Sequence, residues 1–68
     1  DVTRRYTVYN AVMSLPDKYR IVVHLYYYED LPIDEIAEVL HVKATTVQTR
    51  LARARDKLKK VLKEDFAR

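Results

Sequence analysis

The stretch that decides the fold of this chain reads IDEIAEVLHVKATTVQTRLARAR and spans residues 33–55. Ile33, Ile36, Ala37 and Leu40 recur at i, i+3, i+4 and i+7, the spacing of a short amphipathic helix. Residues 41–44 leave room only for a tight turn, and a longer amphipathic helix follows them. Two helices joined in this way predict a helix-turn-helix at about residues 33–62. The apolar stripe of the second helix is made by Val47, Leu51, Ala54, Leu58 and Val61 or Leu62.

The two helices of this motif have to approach each other closely, and their residue types suit that approach. Ala37 lies where a small side chain is needed. The angle between the helices is predicted to be filled by apolar residues, namely Ile36, Leu40, Val42, Val47 and Leu51. The opposite face of the second helix is mostly polar and is free to meet a partner; it comprises Thr49, Ala52, Arg53, Asp56 and Lys60. From the pattern alone, an ordinary helical hairpin remains the alternative.

Two further helices are predicted upstream, which makes the chain an all-α, four-helix domain over residues 1–68. The first runs roughly from Val2 to Met13. The second is expected to begin at Pro16, which suits a first helical position because its missing N–H is not needed there, and to end at about Tyr28. Its apolar residues lie on more than one face, which predicts a central helix contacted from several sides. On the first helix, one face carries Val2, Tyr6, Tyr9 and Met13.

The composition argues against several classes of function. The chain has no cysteine, its two histidines are far apart in sequence, and no nucleophile, base and orienting acid can be assembled. We therefore predict no enzyme activity, no metal and no cofactor. The apolar runs are too short to span a bilayer and no secretory signal is present, so we expect a cytoplasmic protein. Because the chain starts at Asp1 within a predicted helix, without an initiator Met, we expect a domain excised from a larger protein.

The formal net charge of +3 is unevenly distributed along the chain. Residues 1–16 carry +1, residues 17–42 carry −4 and residues 43–68 carry +6, the last from nine Lys and Arg against three acidic residues. The C-terminal third is therefore a basic pole, which includes the second helix of the predicted motif. Concentrated positive charge of this kind is typical of proteins that bind polyanions.

These motifs resemble a known family. The stretches DEIAEVL, residues 34–40, and TVQTRLARAR, residues 46–55, are similar to region 4 of bacterial sigma factors of the sigma-70 family, and most similar to the extracytoplasmic-function (ECF) class. The resemblance covers nearly the whole chain and favours the helix-turn-helix over the hairpin. It implies recognition of the upstream (−35) promoter element in double-stranded DNA, docking on the flap of the RNA polymerase β subunit, and an anti-sigma factor as a further partner.

Two positions depart from the family pattern. His41 stands where such domains usually have glycine, at a turn position expected to need positive φ, with a strain of about 1 kcal/mol for histidine. Lys43 stands where serine usually caps the second helix of the motif, which is the recognition helix that enters the DNA groove. We therefore expect the cap to fall to Thr45 or Thr46, so that the first turn of the helix starts later or is less well fixed.

In a helix-turn-helix, the N-terminal half of the recognition helix reaches the base edges of DNA. The candidate base contacts are therefore sought in that half. Arg53 can pair with guanine O6 and N7, Gln48 can pair with adenine, and the Thr49 methyl can pack on a thymine methyl. The resemblance implies base reading at these same positions. Four residues are predicted to contact DNA phosphates: Lys43, Thr46, Arg50 and Arg55.

Several of these residues also have structural interpretations. Arg50 or Arg55 can form an ion pair with Glu35 or Glu38, and Lys57, Lys59, Lys60 and Lys63 fit a solvated face. The six tyrosines can be interpreted as stacking platforms for single-stranded nucleic acid, but they precede the basic pole, so core, rim or partner-binding roles are favoured. At the level of function, the alternative is a helical protein-interaction module that binds an anti-sigma factor or another partner without contacting DNA.

Overall fold

The computed structural model describes the backbone of residues 2–66 and the side chains of residues 8–63. Within that part of the chain there are four helical elements and no strand, which confirms the predicted all-α fold. Helix α1 spans Val2–Met13 and α2 spans Asp17–Val23, continuing directly into a π-helical turn at His24–Tyr28. Helix α3 spans Ile33–Leu40 and α4 spans Ala44–Phe66.

The connection between α1 and α2 differs in detail from the prediction. The Ser14 hydroxyl donates to the carbonyl of Ala11 at 2.6 Å and so closes α1. Pro16 is the N-cap of α2 rather than its first helical residue, with its carbonyl accepting from the N–H groups of Tyr19 and Arg20 at 3.0 Å each. Asp17 is in the first turn, where its negative charge complements the helix dipole.

The core consists of two adjoining clusters that α4 spans. The cluster beneath the helix-turn-helix contains the residues predicted to fill its angle, with Leu40 and Val42 at its partly buried margin; its buried members are Val22, Ile36, Ala37, Val47 and Leu51. The other cluster joins α1 and α2 to the middle of α4, through Val12, Leu15, Tyr19, Val23 and Ala54 with Leu58 against them. Both clusters take residues from α2, as predicted for a helix contacted from several sides, but α4 is the element that packs against each of the other three helices.

One side of α2 is nevertheless open. Ile21 and Tyr28 were expected to be contacted along with the other apolar residues of this helix, but they are 40% and 60% exposed. The π-helical turn was not predicted either. Its N–H to C=O pattern reaches one residue further than in an α-helix, as in the hydrogen bond from the Glu29 N–H to the carbonyl of His24 at 3.1 Å. The element ends at Tyr28, and two residues further on Asp30 has φ +56°.

The turn between α3 and α4 is a left-handed helix cap. His41 has φ +57° and ψ +44°, which confirms the predicted positive φ. Its N–H donates to the carbonyl of Glu38 at 3.3 Å, while the N–H of Val42 reaches back to Ala37 at 3.0 Å. These two bonds form a Schellman motif, which normally favours glycine at the left-handed position.

We expect His41→Gly to raise the free energy of unfolding by about 0.5–1 kcal/mol. Relief of the strain at positive φ outweighs the extra entropy that glycine gives the unfolded chain. Chemical denaturation with circular dichroism measures the change. His41→Ala is the matched control, because it removes the exposed imidazole but keeps a Cβ. If His41→Ala raised the free energy of unfolding as much as His41→Gly, relief of backbone strain would not be the cause.

The predicted late start of α4 is wrong. The helix begins at Ala44, and the carbonyl of Lys43 accepts its first hydrogen bonds, from Thr46 at 3.0 Å and Val47 at 3.2 Å. Lys43 therefore occupies the N-cap position itself. The Schellman turn directs the backbone into the helix at this point, so α4 can begin without a capping side chain from Thr45 or Thr46.

Candidate DNA interface

The side chains predicted to read bases lie on the open face of α4. Gln48, Thr49 and Arg53 are all exposed, whereas Val47 and Leu51 beside them are buried. This separation follows the helical period, since positions 47, 51 and 54 face the core and positions between them do not. The free surface that base reading requires is therefore present in the first turns of α4.

The Thr49 hydroxyl is engaged as a hydrogen-bond donor within α4. The hydroxyl donates to the carbonyl of Thr45 at 2.9 Å, one turn earlier in α4. This bond to the preceding turn holds the side chain in one rotamer. The methyl group is free for an apolar contact, as the predicted packing on a thymine methyl requires, and the hydroxyl oxygen can still accept a hydrogen bond.

Four of the predicted DNA-contacting residues share a shallow basic groove of about 250 Å³. Thr46, Thr49, Arg50 and Arg53 line it together with Thr45 from α4 and with Lys18 and Tyr19 from α2. We call these seven residues the basic groove. Gln48, Lys43 and Arg55 are not among its lining residues. Lys18 and Tyr19 were not predicted, because no periodicity along α2 indicates which part of α4 its first turn meets.

Tyr19 reports the positive potential of this groove. The Arg53 side chain is the main cause that lowers the pKa of Tyr19 below its usual value of 10.0. Desolvation opposes this effect, and the positive charges of Lys18, Arg53 and Lys57 add to it. The same positive charges would stabilise a phosphate group bound in the groove.

Arg55 has a different environment from Arg53. Its Nε donates to the Tyr27 hydroxyl at 2.6 Å, and its guanidinium carbon lies 5.7 Å and 5.9 Å from the ring centres of Tyr27 and Tyr26. The ion pair with Glu35 or Glu38, considered for Arg50 and Arg55, is absent among the side chains of residues 8–63. The structural partner of Arg55 is thus a pair of tyrosines, and its phosphate contact stays a prediction.

Comparison with known proteins agrees with the helix-turn-helix. Residues 5–58 match the family model described as Sigma-70, region 4. This chain belongs to that family. It is 41% identical over 58 residues to the ECF RNA polymerase sigma factor SigW of Bacillus subtilis (strain 168), a match that covers 85% of this chain and 31% of SigW. The RNA polymerase sigma factor SigV of the same organism is 36% identical over 61 residues, covering 88% of this chain and 37% of SigV.

The region 4 domain described here spans about a third of the length of these curated relatives. Both matches are to sigma factors and one is explicitly of the ECF class, so the resemblance inferred from residues 34–40 and 46–55 is confirmed. Within residues 2–66, no helix combines the length and apolarity needed to cross a bilayer.

This region 4 domain also carries an apolar groove of about 680 Å³ between α1 and α2, which the sequence did not predict as a groove. Asp17 and Arg20 form an ion pair within its lining, and none of its lining residues belongs to the basic groove. We call it the apolar groove; it is lined by Tyr9, Val12, Met13, Asp17, Arg20, Ile21, His24 and Tyr28.

The tyrosines of the region 4 domain divide between core and rim, as favoured from the sequence. Tyr19 is buried and Tyr26 is partly buried, whereas Tyr9, Tyr27 and Tyr28 are exposed. The side chain of Tyr6 lies outside the described residues, as does that of Val2. His24 packs on the Tyr28 ring at 5.7 Å between centres and approaches Glu29 at 3.4 Å. The four lysines predicted to form a solvated face are all exposed, namely Lys57, Lys59, Lys60 and Lys63.

Proposed function

We propose that this domain binds the −35 element of bacterial promoters through α4 and docks on RNA polymerase core, at the flap of the β subunit, during transcription initiation in the cytoplasm. Its role is non-catalytic, as befits a family of transcription initiation factors. The observation that carries the DNA-binding part is the exposed trio Gln48, Thr49 and Arg53 in the first turns of α4, of which Thr49 and Arg53 line the basic groove.

In this proposal, α4 enters the major groove with its N-terminal half. Arg53 donates two hydrogen bonds to guanine O6 and N7, Gln48 pairs with adenine, and the Thr49 methyl contacts thymine. Phosphates are contacted by Lys43, Thr46 and Arg50. Arg55 contacts a phosphate either after its hydrogen bond to Tyr27 breaks or with the guanidinium N–H groups that this bond leaves free. Phosphate contacts supply affinity and register, while base contacts supply sequence preference.

Selection from randomised duplexes, with and without RNA polymerase core, tests the DNA-binding proposal. We expect one sequence to be enriched, and we expect log affinity to fall with log salt with a slope that reflects several phosphates. The alternative, a protein-interaction module that binds an anti-sigma factor or another partner without DNA contact, predicts no duplex binding even at low salt in either arm.

The apolar groove supports the docking part of the proposal. Its lining is apolar except at Asp17, Arg20 and His24, and it lies between two helices, which suits the apolar face of a partner helix. We assign the flap of the polymerase β subunit as its occupant. An anti-sigma factor that covered the same groove would compete with polymerase.

We expect Ile21→Glu to weaken binding to RNA polymerase core by at least about tenfold, because docking would bury an unpaired carboxylate. Fluorescence anisotropy of the labelled domain with core enzyme measures this affinity. Val39→Glu is the matched control: Val39 is 57% exposed on α3 and does not line the apolar groove. Equal weakening by both variants, or none by Ile21→Glu, would contradict docking at this groove.

A further inference from the structure

Two tyrosine rings of the π-helical turn hold the guanidinium of Arg55 against the domain. Tyr26 is partly buried and packs on the cluster beneath the helix-turn-helix. The Tyr27 ring meets it edge to face, with 4.9 Å between the ring centres and 87° between the planes. The guanidinium carbon of Arg55 lies within 6 Å of both ring centres, where a cation is attracted to an aromatic ring. The core thus places Tyr26, Tyr26 places Tyr27, and the two rings place Arg55.

The hydrogen bond between Arg55 and Tyr27 uses only one nitrogen of the guanidinium. The Nε–H donates to the Tyr27 hydroxyl at 2.6 Å. A guanidinium has five N–H donors, so this bond leaves the four donors of the two terminal nitrogens for another partner. Those two nitrogens can bind two oxygens of one phosphate, the bidentate arrangement that arginine makes with such anions. Because Arg55 is exposed, a phosphate can reach it.

Arg55 and the basic groove lie at opposite edges of the α4 face that is proposed to read bases. Gln48 marks one edge of this face, and at about 100° per residue Arg55 lies about 20° beyond it. Arg53 marks the other edge, and Arg50 lies about 60° beyond that one. The basic groove includes Arg50 and Arg53 but neither Gln48 nor Arg55. Since a sugar-phosphate backbone borders the major groove on each side, a helix within the groove meets a different DNA strand at each edge.

We propose that Tyr27 is a positioning residue, which holds the Arg55 guanidinium ready for a phosphate of one DNA strand while the basic groove meets the other strand; this inference rests on the proposed DNA-binding function. An arginine loses rotamer entropy when it is fixed on a ligand, and a partner that fixes it beforehand reduces that loss. Tyr27 thus raises the affinity for duplexes of any sequence through Arg55, without contacting DNA itself.

Tyr27→Phe, assayed in the full chain with RNA polymerase core, tests this role on a duplex that carries only the upstream promoter element. Phosphate ethylation interference shows, strand by strand, which phosphates the complex needs. We expect Tyr27→Phe to weaken interference on one strand only, and Arg50→Ala to weaken it on the other. Affinity should fall roughly 2- to 10-fold in Tyr27→Phe for matched and scrambled duplexes alike, the value of one hydrogen bond.

Tyr26→Phe is the matched control for Tyr27→Phe. Tyr26 contacts Arg55 through its ring, which phenylalanine keeps, so this variant should leave the interference on both strands unchanged. A loss in Tyr26→Phe equal to that in Tyr27→Phe would overturn the inference, because the bond to the Tyr27 hydroxyl would then not be the cause. Interference weakened on the same strand by Tyr27→Phe and Arg50→Ala would also overturn it.

A double-variant cycle separates positioning from a structural effect. In the Arg55→Ala background, Tyr27→Phe should change neither affinity nor interference any further. A loss that persists without Arg55 would contradict the inference, as would unchanged affinity and interference in Tyr27→Phe alone. If the unsubstituted chain with polymerase showed no interference on either strand, the proposed function itself would fail and the inference with it.

Exchange of the Arg55 Nε–H with water gives a second measurement, which needs no DNA. Tyr27 is 49% exposed, so phenylalanine at this position should cost the fold little. Followed by NMR in the full chain, the Nε–H should exchange more slowly in the unsubstituted chain than in Tyr27→Phe, because a hydrogen-bonded proton is protected from exchange. Equal exchange rates would mean that the bond to Tyr27 does not hold Arg55 in solution, and the positioning role would be excluded.

Discussion

Arg53→Ala is expected to remove about 1–3 kcal/mol of discrimination at a single base pair of the preferred duplex. The guanidinium can donate two parallel hydrogen bonds to guanine, and alanine leaves both acceptors without a protein partner. Arg53 is exposed on the open face of α4, so its removal costs the fold little. Competition binding against duplexes substituted at each position in turn measures the loss.

Lys43→Ala is the comparison for Arg53→Ala. Lys43 is exposed at the N-cap of α4, where an ammonium group meets phosphates as a point charge. We expect this variant to weaken binding to all sequences alike and to reduce the salt slope by about 1. If both variants weakened matched and scrambled duplexes equally, the division between base-reading and phosphate-contacting residues would be wrong.

Leu51→Ala is expected to lower the free energy of unfolding by about 2–5 kcal/mol. Leu51 is 1% exposed and belongs to the cluster that holds α3 against α4. Alanine favours the helix at least as much as leucine, so the loss comes from the cavity and not from helix propensity. A chain of 68 residues has a total stability of only about 3–10 kcal/mol, so this variant should lose a large fraction of the stability of the domain.

Thermal and urea unfolding followed by circular dichroism measure this loss. Lys60→Ala on the exposed face of the same helix is the control and should change stability by less than about 0.5 kcal/mol. Should Leu51→Ala unfold at the same urea concentration as Lys60→Ala, the helix-turn-helix angle would not depend on this cluster.

Helical periodicity was sufficient to predict which residues of α3 and α4 face the core and which are exposed. The positions predicted to be apolar contacts are the buried or partly buried ones, and Thr49, Ala52, Arg53, Asp56 and Lys60 are exposed as predicted. A single helix face repeats every 3.6 residues whatever the helix packs against, so this pattern is visible before folding. The positive φ of His41 was predictable only through the family resemblance, because region 4 domains usually have glycine at this position.

The wrong or missing predictions concern features that depend on contacts between one structural element and another. The start of α4 was expected to depend on a side-chain cap, but the backbone of the preceding turn provides the entry into the helix. The π-helical turn at His24–Tyr28 was not visible because the apolar residues of that segment lie on several faces and mark no period. An ion pair with Glu35 or Glu38 was considered as an alternative for Arg55, whereas Tyr27 and Tyr26 lie beside its guanidinium.

The local order of side chains thus determined, by itself, the four helices, the tight turn and the face of α4 that is free for DNA. Only the tertiary structure decided that Lys18 and Tyr19 of α2 line the groove with Arg53, and that α1 and α2 leave an apolar groove open. Periodicity records which way a side chain faces on its own helix. Whether residues 34 positions apart, such as 19 and 53, line one groove depends on how the helices cross, which is set by the packing of the whole core.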